Sequence, residues 1–333
     1  MRRAVAVSMK SRMPWRTRLF AAIYDRTLAG EVGTMTTEQI VTDRRRTLPA
    51  RPPVSWVTGA ARRHVTVTAV TCRARDGHEI PVQVLRPGGA GTDAPVVVYY
   101  HGGGWTLSNP GNYLALTSWL ADELAAVVVA PDYRKAPQHP APFAAQDAYD
   151  VLRWVHAEPN AIGGHGGRVA VAGDSAGGNL SAVVSILARD EGGPTPVGQA
   201  LIYPATDLTR SHPSSRWRDE AILTGPRMDA FVSHYLSGGV SPRDPVVSPQ
   251  FAASHRDLPP ALVQTAECDP LRDEGAYYAD LLRAAGNDVR HTCYVGMPHG
   301  FMSFPGVTPV GGQARAELLQ SLSAWLEAPA TTA

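Results

Sequence analysis

Alternation between polar and apolar positions divides much of the chain into short strands. Residues 64–73 and 79–85 alternate with a period of two around an Asp-Gly turn, which predicts a hairpin of half-buried strands. The apolar runs at 95–100 and 127–130 are continuous, as in strands that are buried on both faces. Four further strands are predicted at residues 169–173, 199–203, 261–265 and 289–295.

Apolar residues at helical spacing fill most of the intervals between these strands. The predicted helices span residues 113–125, 143–156, 176–189, 273–285 and 313–326. Strands that alternate with helices indicate a mainly parallel sheet with helices on both faces, and the hairpin adds antiparallel strands at one edge. The alternation fails at about 208–257, so we interpret this segment as an inserted cap.

Two helices are predicted ahead of the sheet. Trp15, Leu19 and Ile23 recur on one helical face, and Thr36-Thr-Glu-Gln39 has the pattern of a capping box. We expect the apolar stripe of the first helix to pack on the body of the protein. The alternative is that this basic amphipathic helix lies on a membrane surface.

Composition and charge narrow the class of protein. The chain has 333 residues and a formal net charge of +1, which does not favour nucleic acid as a partner. Its three cysteines form no C-x-x-C pair, so we expect neither a disulfide framework nor a zinc site, and we expect a cytoplasmic location. Arg2-Arg3 is weak evidence for export, and the apolar run 19–24 is too short for stable membrane insertion.

The segment Gly173-Asp-Ser-Ala-Gly177 is a G-x-S-x-G sequence between a predicted strand and a predicted helix. Glycine at both ends allows a sharp turn that exposes the serine hydroxyl and lets the helix pack against the strand. Ser175 is therefore a candidate nucleophile. The pentapeptide alone leaves open the alternative of a glycine-rich loop without chemistry.

A serine nucleophile needs a base, a carboxylate that orients the base, and hydrogen-bond donors for an oxyanion. Candidates for these roles follow strand ends, which meet at one edge of a parallel sheet. His299 lies in a turn after the last strand and is the candidate base, whereas His291 lies within that strand. Asp269 is the best-placed carboxylate; Glu267 competes with it, and Asp273 suits a helix N-terminus.

Three consecutive glycines follow His101, directly after the strand at 95–100. Backbone N–H groups in such a loop can approach a substrate oxygen closely, so the candidate oxyanion donors are Gly103, Gly104 and Ala176. A flexible loop is the alternative. A phosphate cradle is disfavoured because no G-K-[ST] or G-x-G-x-x-G pattern accompanies the glycines.

Four motifs in this order resemble the bacterial hormone-sensitive-lipase family (family IV) of α/β-hydrolase esterases. They are His101-Gly-Gly-Gly104, Gly173-Asp-Ser-Ala-Gly177, Asp269-Pro-Leu-Arg-Asp-Glu-Gly275 and His299-Gly-Phe301. The resemblance implies an α/β-hydrolase fold with an eight-stranded, mostly parallel sheet in a catalytic domain of residues 56–333, and a cap that includes the N-terminal helices of residues 1–55. Supporting roles are expected for His101, Gly102 and Asp174. The sequence departs from the family at Gln138, where a glutamate is usual.

The resemblance also implies carboxylic ester hydrolysis through an acyl-serine. Ser175 would be the nucleophile, His299 the base and Asp269 the residue that orients it. We expect a small ester with a short to medium acyl chain as substrate and no metal or organic cofactor, and dimerisation in such a family suggests a homodimer. The alternatives are an amidase or deacetylase of small acylated metabolites, or a member of the fold that binds a small molecule without catalysis.

Overall fold

One sheet of eight strands organises the computed structural model, which describes residues 9–27, 32–49, 51–217 and 221–327. The strands are β1 (Val65–Arg73), β2 (Glu79–Pro87), β3 (Val96–Tyr100), β4 (Val127–Pro131), β5 (Val169–Asp174), β6 (Gln199–Ile202), β7 (Ala261–Cys268) and β8 (Val289–Pro298). Their order across the sheet is β1-β2-β4-β3-β5-β6-β7-β8. β2 is antiparallel to β1 and β4, and all other neighbours are parallel. The predicted mostly parallel, eight-stranded sheet with a hairpin at one edge is confirmed.

Helices cover both faces of this sheet. The α-helices of the described ranges are α1 (Trp15–Thr27), α2 (Thr37–Arg44), α3 (Val54–Thr58), α4 (Leu114–Glu123), α5 (Phe143–Ala157), α6 (Pro159–Ile162), α7 (Ala176–Asp190), α8 (Gly225–Tyr235), α9 (Arg272–Ala284) and α10 (Gly311–Glu327). Side chains alternate along β3, so Val96 and Val98 pack with α5 and α7 on one face, whereas Val97 and Tyr99 pack with α4 and α10 on the other.

The parallel strands end at one edge of the sheet, and this edge carries the candidate site. β3 ends at Tyr100, β5 at Asp174, β7 at Cys268 and β8 at Pro298. Each of the four motifs singled out in the sequence begins at or close to one of these residues. The carboxyl ends of parallel strands therefore bring segments that are far apart in the chain to a common edge.

The segment between β6 and β7 holds α8 and two short 3₁₀ turns, Pro213–Arg216 and Pro249–Phe251. Thr224 caps α8 by accepting a hydrogen bond from the Arg227 N–H at 3.2 Å. Residues 218–220 of the segment lie outside the described residues. In its described residues, the segment where strand–helix alternation fails therefore contains one α-helix, α8, between stretches of irregular structure.

The N-terminal part contains α1 and α2, in agreement with the two predicted helices, and the short α3, which the sequence did not predict. The capping box of α2 is present: Gln39 N–H donates to Thr36 Oγ1 at 3.3 Å, and Thr36 N–H donates to Gln39 Oε1 at 2.7 Å. Arg2-Arg3 lies outside the described residues, as does the predicted end of the first helix beyond residue 27.

The expected packing of α1 is wrong. Trp15, Leu19 and Ile23 point away from the body, with 64%, 56% and 51% of their surface exposed. Helical periodicity shows that two faces of a helix differ, but it does not show which face another element will cover. Among the helices that the structure describes, none is long and apolar enough to cross a membrane.

Small residues on the opposite face of α1 explain this orientation. Thr17 and Ala21 are fully buried, which lets the helix backbone approach the body closely. The Thr17 hydroxyl donates a hydrogen bond to the Val307 carbonyl at 2.7 Å, and the Phe20 ring lies 4.9 Å from that of Phe304. These contacts fix α1 against the segment between β8 and α10.

Candidate active site

Ser175 occupies the sharp turn between β5 and α7. Its backbone has φ 57° and ψ −119°, a conformation that is strained for a residue with a side chain. The flanking glycines make the turn sterically allowed, because a Cβ on Gly177 would lie 1.8 Å from the Tyr100 carbonyl oxygen and one on Gly173 would lie 2.6 Å from it. The predicted strand, turn and helix therefore place the serine hydroxyl beyond the strand end.

Ser175, His299 and Asp269 form a continuous chain of hydrogen bonds. The His299 Nε2 atom lies 2.9 Å from Ser175 Oγ, and its Nδ1 atom lies 2.7 Å from Asp269 Oδ2. With Nδ1–H donating to the carboxylate, the Nε2 lone pair is available to accept the serine proton. Asp269 is fully buried, and its other oxygen accepts the Leu271 N–H at 2.9 Å, which fixes the carboxylate.

The competing carboxylates and the competing imidazole lie elsewhere. Glu267 Oε2 accepts the Gly296 N–H at 2.8 Å, and its other oxygen pairs with Arg12 at 2.7 Å. Asp273 accepts the Ser214 N–H at 2.8 Å and so holds the inserted segment, not the N-terminus of its own helix. The ring of His291 lies 3.0 Å from the Thr265 hydroxyl, within the sheet.

The glycine loop after β3 approaches Ser175 from the neighbouring strand. Gly103 and Gly104 have φ values of 121° and 59°, which favour glycine. Space is also limited, since a Cβ on Gly104 would lie 2.2 Å from the Phe231 ring. Among the described residues, no acceptor takes the N–H groups of Gly103, Gly104 or Ala176, so these predicted donors are available to a ligand.

Asp174 anchors this loop through contacts that the sequence did not reveal. Its Oδ1 atom accepts the Gly102 N–H and the Tyr99 hydroxyl, and its Oδ2 atom accepts the Tyr113 hydroxyl, all at 3.0 Å. Burial raises the pKa of Asp174 to about 6, although the tyrosine hydrogen bonds oppose that shift. No motif marks the two tyrosines, because they come from the strand interior and from the 3₁₀ turn before α4.

His101 holds the start of the loop as a neutral side chain. Its Nδ1 atom lies 2.7 Å from the Gly102 carbonyl, its ring stacks on Tyr133 at 4.5 Å, and the Tyr133 hydroxyl donates to the His101 carbonyl at 2.7 Å. Burial lowers the pKa of His101 to about 3. Among the described residues, the His101 imidazole makes no hydrogen bond to Ser175, His299 or Asp269.

The inserted segment closes over the same loop. The Trp105 indole stacks on Tyr235 of α8 with ring centroids 4.4 Å apart and planes 2° apart. The indole N–H donates to Asn179 Oδ1 at 3.2 Å, which ties the stack to α7. Phe231, one turn before Tyr235, faces Gly104. The rings of Trp105, Tyr235 and Phe231 therefore form an aromatic wall beside the candidate oxyanion donors.

The parallel sheet and the Ser–His–Asp chain at its carboxyl edge define an α/β-hydrolase with a serine nucleophile candidate. A family model described as alpha/beta hydrolase fold matches residues 97–303. The chain belongs to this family, in its hormone-sensitive-lipase-like branch of ester hydrolases.

Several proteins similar to this chain are named as ester hydrolases. Carboxylic ester hydrolase LipN of Mycobacterium tuberculosis is 44% identical over 273 residues, covering 79% of this chain and 71% of LipN. Carboxylesterase NlhH of the same species is 43% identical over 254 residues, covering 75% of this chain and 80% of NlhH. The structure of an esterase from Pyrobaculum calidifontis superposes with a TM-score of 0.82 at 37% identity, covering 93% of this chain and 99% of that one.

Proposed function

We propose that this chain is a serine carboxylic ester hydrolase in which Ser175 is the nucleophile. The observation that carries the proposal is the pair of hydrogen bonds from His299, 2.9 Å to Ser175 Oγ and 2.7 Å to Asp269 Oδ2. A nucleophile, a base and a group that orients the base are the parts that acyl transfer requires, and this chain of hydrogen bonds supports assigning the three roles to these side chains.

In the proposed reaction, Ser175 Oγ attacks the ester carbonyl carbon while His299 Nε2 takes the hydroxyl proton. Asp269 holds the imidazole orientation and stabilises the imidazolium that forms. The imidazolium then gives its proton to the departing alkoxide, which leaves an acyl-serine and an alcohol. His299 next deprotonates a water molecule that attacks the acyl carbon, and the proton returns to Ser175 as the carboxylic acid leaves.

The tetrahedral intermediates carry a negative oxygen that the backbone stabilises. We assign this role to the N–H groups of Gly103, Gly104 and Ala176, which have no acceptor among the described residues. Ala176 also stands at the N-terminus of α7, where the helix dipole favours an anion. Gly102, His101 and Asp174 position these donors without contacting the substrate.

We further propose short to medium acyl chains as substrates. The aromatic wall of Phe231 and the Trp105–Tyr235 stack lies directly over the glycine loop, which limits the space next to the reacting carbon. Limited space beside the reacting carbon favours a short acyl chain over a long one.

We also propose a cytoplasmic location and a homodimeric assembly. All three cysteines, Cys72, Cys268 and Cys293, are free thiols in this structure, which supports a reducing, cytoplasmic environment. A homodimer is proposed through the exposed edge strand β8 or through α10. Analytical ultracentrifugation of the purified protein tests it, and a monomer at all concentrations contradicts it.

Hydrolysis of p-nitrophenyl esters of increasing acyl length tests the function. Ser175→Ala is expected to fold normally and to lose about 10⁴-fold or more in kcat. Ser185→Ala removes a buried hydroxyl from α7, which donates to the Ser181 carbonyl at 2.9 Å, and this variant is expected to keep its activity. A Ser175→Ala enzyme that retains wild-type turnover contradicts the nucleophile assignment.

The matched anilide p-nitroacetanilide separates the proposed esterase from an amidase. Ester and amide hydrolysis use the same three side chains, and they differ in how the leaving group is protonated and held. We expect a much higher kcat/KM for the acetate ester. A preference for the anilide supports the amidase alternative, and folded protein that turns over neither substrate supports a binding role.

A further inference from the structure

The exposed face of α1 combines large apolar side chains with basic ones. Trp15, Leu19 and Ile23 follow one another at intervals of one helical turn and together span roughly 80° of the helix circumference. Three exposed arginines belong to the same helix: Arg16, Arg18 and Arg26. Arg16 and Arg18 border the apolar stripe on opposite sides, and the Arg16 guanidinium lies 5.3 Å from the centre of the Trp15 ring.

Within α1 itself, as far as the structure describes it, acidic charge is kept away from this face. Asp25 is the acidic residue of α1, and its carboxylate points to the body, where it accepts the Ile222 N–H at 3.0 Å and lies 4.0 Å from Lys10 Nζ. Among residues 15–26, the exposed side chains are all apolar or basic: Trp15, Arg16, Arg18, Leu19, Ile23 and Arg26. The described side chains on the outward face of α1 therefore add only positive charge beside the apolar stripe.

The inner face of α1 packs against residues next to the candidate active site. Phe20 and Tyr24 contact Phe304 with ring centroids 4.9 Å and 5.9 Å apart. Phe304 in turn borders Gly300, the residue after His299, since a Cβ on Gly300 would lie 3.3 Å from its ring. The Phe304 side chain, which α1 contacts, is therefore a single layer between this helix and the turn that carries His299.

We propose that the outer face of α1 docks the enzyme onto an anionic lipid surface. Trp15 and Leu19 would enter the boundary between headgroups and acyl chains, where tryptophan is favoured, and the arginines would lie against lipid phosphates. A helix of 13 residues lies in such a plane and is too short to cross a hydrocarbon core of roughly 30 Å.

Charge complementarity selects a lipid surface over a second copy of this chain. A two-fold dimer through this face would oppose the arginines of α1 to the same arginines of its partner, and like charges that face each other disfavour association. An anionic lipid surface supplies the opposite charge over the whole helix length. It also supplies an apolar layer for Trp15 and Leu19.

Co-sedimentation of the full-length protein with lipid vesicles tests the proposal. The vesicles contain phosphatidylcholine with or without phosphatidylglycerol. We expect binding to the anionic vesicles only, a loss of about tenfold or more in affinity for Trp15→Ser/Leu19→Ser, and a similar loss for Arg16→Gln/Arg18→Gln/Arg26→Gln. Added salt is expected to weaken wild-type binding.

Matched variants remove the same groups from other surfaces. Val67→Ser/Tyr277→Ser removes two exposed apolar side chains, and Arg63→Gln/Arg73→Gln/Arg153→Gln removes three exposed arginines. These controls are expected to bind vesicles like the wild type. All variants are expected to hydrolyse a soluble p-nitrophenyl ester normally, and binding is measured on Ser175→Ala as well, so a failed docking proposal is distinguishable from a failed esterase assignment.

Three results would overturn the proposal. The first is no binding of the wild type to anionic vesicles, and the second is equal binding by the α1 variants and their controls. The third is a fall in oligomeric mass of the α1 variants without a change in vesicle binding, which assigns the face to contacts between copies of the chain.

Discussion

The Asp174 carboxylate connects the nucleophile turn to the oxyanion loop. It directly precedes Ser175 in the chain, and it accepts hydrogen bonds from the Gly102 N–H and from two buried tyrosines. Three donors aimed at one carboxylate hold the loop in the conformation in which the next two N–H groups have no acceptor within the part of the chain that the structure describes. We propose that Asp174 acts on the reaction through backbone geometry and not through contact with the substrate.

Removing this carboxylate is expected to slow turnover more than it weakens binding. Asp174→Ala leaves the Gly102 N–H without its acceptor, and we expect kcat to fall by about 10²-fold with a smaller change in KM, because a displaced oxyanion donor acts mainly in the transition state. Asp174→Asn keeps an oxygen for Gly102 and is expected to restore most of kcat. Steady-state kinetics on one ester checks both variants, and equal kcat for Asp174→Ala and the wild type contradicts the positioning role.

At the scale of secondary structure, α8 and the glycine loop form one unit. Tyr235 stacks on Trp105, and Phe231 fills the space that a side chain at Gly104 would occupy. The helix therefore contributes to the shape of the pocket without carrying any catalytic group. The side chains of α8 therefore determine how much space remains beside the acyl carbon.

Shortening Phe231 is expected to shift acyl-chain preference. Phe231→Ala removes a buried ring beside Gly104, so the ratio of kcat/KM for p-nitrophenyl octanoate to that for the acetate is expected to rise by about tenfold. Phe251→Ala is the matched control, since that ring lies in the same inserted segment beneath Arg243. An unchanged ratio for Phe231→Ala shows that this ring does not limit the acyl chain.

Elements with a strong local signal were predictable from the sequence. Continuous apolar runs gave β3 and β4 within a residue, and the Thr36 capping box marked the start of α2. Contacts between distant elements left no such signal. The pairing of β2 with β4, which precedes β3 in the sheet order, and the outward face of α1 both depend on tertiary packing that periodicity does not encode.

Prediction of the candidate site from the sequence is limited in the same way, because local patterns do not encode tertiary contacts. Ser175, Asp269 and His299 each stand at a strand end, so a parallel sheet predicts their convergence. Local patterns could not separate Asp269 from Glu267, because Glu267 lies at the end of β7 and Asp269 directly after it, and only the three-dimensional directions of the side chains distinguish them. The hydrogen bonds of Glu267 to Gly296 and of Asp269 to His299 supply that distinction.

At the scale of the whole molecule, one buried acid couples folding to pH. Glu274 of α9 is fully buried, and its Oε1 atom accepts the backbone N–H groups of Thr206 and Asp207 at 2.9 Å and 3.3 Å. Burial raises the pKa of Glu274 from 4.5 to about 8. The folded chain therefore holds a proton that the unfolded chain releases at a lower pH.

Glu274→Gln is expected to flatten the dependence of stability on pH. Because the folded pKa is raised, the stabilisation from Glu274 is complete below its unfolded pKa and is lost as pH rises through about 8. The window therefore runs from the unfolded pKa of 4.5 to the folded pKa of about 8. As pH rises across it, this one group lowers the free energy of unfolding by at most about 1.4 kcal/mol per pH unit. Urea denaturation across the window measures the slope, and identical slopes for the wild type and Glu274→Gln contradict the assignment.

The attachment of the inserted segment bears on how such an enzyme changes over evolutionary time. The segment leaves the sheet after Ile202 and re-enters it at Ala261, and the ladder between β6 and β7 holds both ends. Its interior is consequently free to vary in length and sequence while the strands keep their register. Divergence or laboratory grafting within it can therefore alter which esters fit, leaving the reacting groups on an inherited scaffold.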